Sequence, residues 1–143
     1  MIVPDANLLI YAYDSTSPHH DKAKSWWEDV LSGDEPIGVP WVVVLAFSRL
    51  MTHPAICCDP LTTHQVRQCV EHWLAQQTVR ILSPSPGTLV RFFDLLDSIG
   101  LGGNFATDAL IAAHAMENTA TVYSNDRDFG RFTCLRWRNP LEE

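Results

Sequence analysis

The chain has 143 residues, 46% of them hydrophobic and 19% charged, enough for one domain with a core of its own and too apolar for a long disordered tail. A formal net charge of −7 works against nucleic-acid binding unless positive charge is concentrated locally or brought by a metal ion. The longest apolar run, VPWVVVLAF, is far too short to span a bilayer, and the opening MIVPDANLLIYAYD has no basic region and meets an aspartate at once, unlike a signal peptide.

In chain order, MIVP is a short apolar run that suits a strand buried on both faces. NLLIYAY follows as a short helix that Asp5 or Asn7 is placed to cap. From His20 to Leu31 the apolar residues Ala23, Trp26, Trp27, Val30 and Leu31 fall at helical spacing. SGDEP breaks the chain, IGVP reads as a second buried strand, and WVVVLAFSRLMT as a largely buried helix. After the proline-bounded loop HPAICCDP, Thr62 or Thr63 caps a helix carrying Val66, Cys69, Val70, Trp73 and Leu74. VRIL is a third strand, and Leu89, Phe92, Phe93 and Leu96 mark the buried stripe of the next helix. GLGGN is a glycine-rich loop without a phosphate-binding motif. FATDALIAAHAMEN is an alanine-built helix with His114 structural or exposed, TATVYS a fourth strand and LRW a fifth. Trp26, Trp27, Trp73, Phe92 and Phe93 are expected in the core. Apolar strands alternating with helices point to an α/β domain over residues 1–143, with a mostly parallel sheet covered on both faces.

Cys57, Cys58, Cys69 and Cys134 include no C-x-x-C pair, and no histidine stands at zinc-ligand spacing from them. Adjacent Cys57 and Cys58 do not make an ordinary structural disulfide, so reduced thiols and a cytoplasmic location are expected.

The chemistry lies in the acids. In an open parallel sheet all strand C-termini share one edge, where ligands bind. Asp5 follows the first strand, and Asp126 and Asp128 follow the fourth. Asp108 opens the helix leading into that fourth strand, so it begins near the same edge. Each acid alone could be a helix cap or a helix-dipole partner. Together they would repel one another unless a cation sits among them, and an all-oxygen site suits Mg²⁺ or Mn²⁺. Such a site supports metal-assisted phosphodiester hydrolysis without a protein nucleophile. Arg127, Arg131, Arg136 and Arg138 lie nearby in sequence and hint at a phosphate-contacting surface.

MIVPDANLLIYAYD, TDALIAAHA and SNDRDFGRF…LRWRNPL resemble the PIN-domain family, and within it the VapC ribonuclease toxins of bacterial type II toxin–antitoxin systems. The resemblance spans almost the entire chain. It implies a three-layer α/β/α sandwich, Mg²⁺- or Mn²⁺-dependent endoribonuclease activity, a VapB-like antitoxin and a homodimer. It also implies that Asp5, Asp108 and Asp126 hold the metal, with Asp128 as a further catalytic acid. Asn7, Arg49, Ser124, Asn125 and Arg127 are the expected substrate contacts, Ser124 or Asn125 through water or phosphate. One departure stands out: Ala46 lies where many of these nucleases carry a glutamate, and Asp14 and Asp94 are candidates to replace it. Ala46 motivates an alternative, a weak or inactive module that binds RNA or antitoxin without turnover. A phosphate-accepting signalling domain fits less well, because one acid alone follows the first strand and no lysine occurs after Lys24.

Overall fold

Ile2–Pro4, all buried, form β1 in the computed structural model, which describes residues 1–143. The chain then runs α1 (Ala6–Tyr13), α2 (His20–Ser32), β2 (Ile37–Pro40), α3 (Trp41–Met51), α4 (Thr63–Leu74) and β3 (Val79–Leu82). α5 (Pro86–Ile99), α6 (Phe105–Glu117), β4 (Thr121–Tyr123), a 3₁₀ helix (Arg127–Arg131) and β5 (Trp137–Arg138) complete it. The five strands form one sheet in the order β3-β2-β1-β4-β5, and every pairing is parallel.

That order has a direct consequence. The chain builds outward from β1 through β2 to β3, then returns to lay β4 on the other side of β1. The gap between β1 and β4 is therefore the topological switch point, where the strand ends of an open parallel sheet leave a crevice. Parallel crossovers are right-handed, so reversing direction places the two groups of helices on opposite faces. The aromatic core agrees: Trp73 of α4 packs on Trp27 of α2 and Phe47 of α3, which in turn meets Tyr13 of α1. These rings gather α1 to α4 on one side, and α5 pairs with α6.

Local chemistry fixes the ends of the elements. Thr62 and Gln65 exchange side-chain and backbone hydrogen bonds in a capping box that starts α4. Ser85 and Thr88 do the same for α5, with Pro86 in its first turn. α5 ends at Gly100, whose φ of +65° only glycine adopts freely. Gly38 in β2 is a packing requirement: a Cβ there would lie 2.7 Å from Leu82 Cδ1.

Two helices are buried differently from expectation, α5 in its face and α3 in its extent. In α5 the buried residues are Thr88 and Leu95, with Phe92, Leu96 and Ile99 packed against the core, while Leu89 and Phe93 are 57% and 53% exposed. The inward arc starts from a polar residue. Thr88 Oγ1 donates to Glu117 Oε2 of α6 at 2.9 Å, and the arc continues at 92, 95 and 99. Counting apolar residues alone selects the neighbouring arc. α3 is half-buried rather than largely buried: Val43, Phe47 and Met51 point inward at every fourth position, and Trp41 and Leu45 face outward. Leu74 of α4 is likewise exposed, and His114 of α6 is fully buried. No helix is long and apolar enough to cross a membrane.

Candidate active site

Asp5 stands at the junction of β1 and α1. Its backbone N–H donates to the Tyr123 carbonyl at 2.9 Å, which ties the end of β1 to the end of β4. Its side chain caps α1, Oδ1 accepting from the Ala6 N–H at 2.7 Å. Oδ2 accepts from Ser124 Oγ at 2.7 Å across the switch point. Both bonds and the helix N-terminus favour the ionised carboxylate, yet Asp5 is only 9% exposed. Burial wins, and with the negative charge of Asp126 adding to it, the Asp5 carboxyl is pushed above its ordinary range.

Ser124 is the hub of the site. Its hydroxyl donates to Asp5 and accepts from the Asp126 N–H at 2.9 Å and from Asn7 Nδ2 at 3.2 Å. A hydroxyl has one donor and two acceptor positions, so Ser124 is saturated. The hydroxyl thereby has an orienting role: it locks Asp5, Asn7 and the Asp126 backbone into one geometry. Asn7 is left with a buried Oδ1 that has no partner. Asn125 Oδ1 accepts from Asn139 Nδ2 at 3.0 Å, on the β5 side.

Asp126 caps the 3₁₀ helix, its Oδ1 accepting from the Asp128 N–H at 2.9 Å. Asp108 lies in the first turn of α6 and is half-buried. Burial first, then the charges of Asp5, Asp126 and Asp128, push its carboxyl up to about 7. The four acids that the topology sends to one edge thus act on one another. They form an open arc rather than a finished cage, since no three acidic, His or Cys side chains stand close enough to enclose an ion.

Other expected site residues lie elsewhere. Arg49 lines a groove between α3 and α4 and pairs with no acid. Asp14 Oδ1 is engaged by Thr16 at the end of α1, and Asp94 lines an exposed groove along α5. Neither is among the charges acting on Asp108. Arg127 turns outward to Glu142 Oε1 at 2.9 Å. Asn139 escaped sequence reasoning. Its one signal is that it follows β5, a strand parallel to β4, which puts it at the same edge.

Asp5, Asp108 and Asp126 take part in no ion pair, and only Asp128 faces a guanidinium, Arg131 Nε at 3.5 Å. Unneutralised carboxylates at a buried edge, an unpartnered amide oxygen and an absence of sulfur or imidazole donors fit a hard divalent cation.

A PIN-domain family model matches residues 2–133. The chain belongs to the PIN-domain family. This PIN domain is 37% identical over 143 residues to ribonuclease VapC33 of Mycobacterium tuberculosis, covering the whole of both chains. Among solved structures it matches VapBC2 of Rickettsia felis bound to a promoter DNA fragment, at a TM-score of 0.69 and 23% identity over 97% of this chain and 98% of that one. It also matches VapC20 of M. tuberculosis, a sarcin–ricin-loop-cleaving toxin, at a TM-score of 0.70 and 15% identity over 91% and 93% of the two chains. The structural matches establish the three-layer α/β/α PIN fold. The full-length sequence match places the PIN domain among VapC-like chains.

Proposed function

We propose that this PIN domain is the endoribonuclease toxin of a type II toxin–antitoxin pair and hydrolyses RNA with Mg²⁺ or Mn²⁺ held by Asp5, Asp108 and Asp126. The observation that carries the reading is four carboxylates at the β1/β4 switch point, three without a counter-ion, with Asp108 raised to about 7 by burial and by the others. The full-length likeness to a VapC ribonuclease supports the reaction and the substrate class. It also favours turnover over the inactive module that Ala46 suggested.

When bound, the metal lowers the pKa of a water and neutralises charge at the scissile phosphate. The chain's own part is placement. Ser124 fixes Asp5 through Oδ2, and the α1 N-terminus fixes it through Oδ1, so the first ligand is preorganised. Asp108 would serve as a ligand in its ionised form, which a bound cation would favour against the burial and the neighbouring charges that raise its pKa. Asp128 lies on the Arg131 side of the arc and completes the acidic shell.

The partner is a VapB-like antitoxin, in keeping with the assembly named for the R. felis relative. A basic segment of that antitoxin complements the net charge of −7, and an arginine from it enters the acid arc in place of the metal. The toxin forms a homodimer and works in the cytoplasm, where its four free thiols stay reduced.

The test is cleavage of structured cellular RNA by purified, partner-free protein in Mg²⁺, in Mn²⁺ and in chelator, beside Asp108→Asn. Metal-dependent cutting lost in the variant is the expected result. Full cutting by Asp108→Asn would remove the assigned role.

A further inference from the structure

The segment after β5 is pinned to the candidate site. Trp137 Nε1 donates to the Ser124 carbonyl at 3.1 Å, Asn139 holds Asn125, and Lys22 Nζ donates to the Leu141 carbonyl at 3.1 Å. Leu141 is itself buried. These ties carry two consecutive glutamates to the flank of the acid arc. There Glu142 Oε1 takes Arg127 at 2.9 Å and Glu143 Oε1 takes Arg138 Nε at 2.8 Å.

Both arginines are exposed, so neither needs a partner to be buried. Arg127 lies between Asp126 and Asp128, and Arg138 extends β5 beside Tyr123 at the end of β4. Tyr123 stacks on Trp26 with ring centres 5.6 Å apart and planes 23° apart. Trp26 also lines an open groove of about 440 Å³ with Lys22, Pro140 and Glu143. Guanidinium groups beside a half-buried aromatic stack are the components of a single-stranded nucleic-acid path: phosphates take the arginines and bases take the rings. A carboxylate on a guanidinium occupies the same donor fork as a phosphate.

We propose that Arg127 and Arg138 form a phosphate-binding pair for the RNA strand on the β5 flank of the site, and that the Glu142 and Glu143 carboxylates hold the place of those phosphates until RNA displaces them. The proposal rests on the ribonuclease reading. Exposed ion pairs of this kind are weak and screened by salt, so the glutamates compete without locking the surface. The pair also reconciles an acidic protein with an RNA substrate. Its basic surface exists, with its charge masked by the same chain.

The experiment measures binding of a short labelled single-stranded oligoribonucleotide by anisotropy across a salt series, with Asp108→Asn in every protein to prevent cleavage. On the Asp108→Asn background, which takes the formal charge from −7 to −6, Glu142→Gln/Glu143→Gln moves the net charge to −4, and so does the control Asp34→Asn/Glu35→Gln at the opposite sheet edge. The tail variant should bind about threefold to tenfold more tightly than its parent, the control much less. Arg127→Gln/Arg138→Gln should flatten the log–log salt dependence by roughly 0.7 for each phosphate deprived of its arginine, and should abolish the gain from neutralising the glutamates. A gain equal to the control's, no gain, or a gain that survives without the arginines would overturn the proposal. Cleavage by the unmodified protein, run alongside, separates the two readings. Metal-dependent cutting with no tail effect defeats the phosphate pair alone, whereas neither binding nor cutting defeats both.

Discussion

Replacing Asp108 by asparagine should stabilise the metal-free protein while abolishing cleavage. In the fold the Asp108 carboxyl is raised from 3.8 to about 7 by burial and by three like charges. Between about pH 4 and pH 7 the unfolded chain has already released this proton and the native chain still holds it. Stability therefore falls as pH rises through that window, and the cost is complete above about 7. If the side chain were sealed from water, the gap would correspond to ~4 kcal/mol. Asp108 is only half-buried and solvent screens its neighbours, which leaves ~1–2 kcal/mol. Asparagine keeps the shape and removes the charge, so it should recover that amount at pH 8, a rise in Tm of about 3–8 °C for a chain of this size. Thermal and denaturant unfolding in chelator at pH 4, 6 and 8 reads the difference between variant and parent. It should be near zero at pH 4 and grow with pH. No gain at pH 8, or the same gain at pH 4 and pH 8, would show that burial and the other acids do not together raise the Asp108 carboxyl.

Three further outcomes follow from the same geometry. Mg²⁺ should raise Tm more at pH 8 than at pH 6, because Asp108 must lose its proton to become a ligand; below about pH 7 the apparent affinity should change by up to about tenfold per pH unit, measured by calorimetry. Ser124→Ala should cost about 1–3 kcal/mol in denaturant unfolding, since it strands the Asp126 N–H and Asn7 Nδ2, and it should also weaken Mg²⁺ binding because Asp5 loses the donor on Oδ2. Gly38→Ala should destabilise by roughly 1–3 kcal/mol, with Leu82 Cδ1 2.7 Å from the new methyl, and should leave the metal affinity of the folded fraction unchanged.

The acid arc was legible because it depends on topology more than on side-chain detail. Once MIVP and TATVYS are taken as buried parallel strands, the residues after them share an edge, and strand boundaries wrong by a residue would not move Asp5 or Asp126 to the other end of the sheet. The inward face of α5 was not legible, because Thr88 leads it and its partner, Glu117, lies 29 residues away on α6. The saturation of Ser124 was hidden for a similar reason. One of its partners is two residues away, and the others are 117 and 119 residues distant. Short apolar strands announce themselves; polar groups satisfied across the fold do not.

Arg127 shows the same limit and explains the charge of the site. It lies between Asp126 and Asp128 in sequence, yet it neutralises neither. The segment is a 3₁₀ helix with three residues per turn, so adjacent side chains diverge by about 120° and residues three apart align. Arg131 thus meets Asp128, while Arg127 swings out to Glu142. The backbone conformation keeps the chain's own nearest arginine away from Asp5, Asp108 and Asp126. On the proposed reading a counter-charge for these acids comes from outside the chain and is exchangeable: a divalent cation in the active protein, or a guanidinium of a basic partner in the inhibited one. An arginine buried among the acids would stabilise the fold and close the site to both. Cation and inhibitor should consequently exclude one another, with raised Mg²⁺ weakening partner binding and the partner weakening Mg²⁺ binding by the same factor.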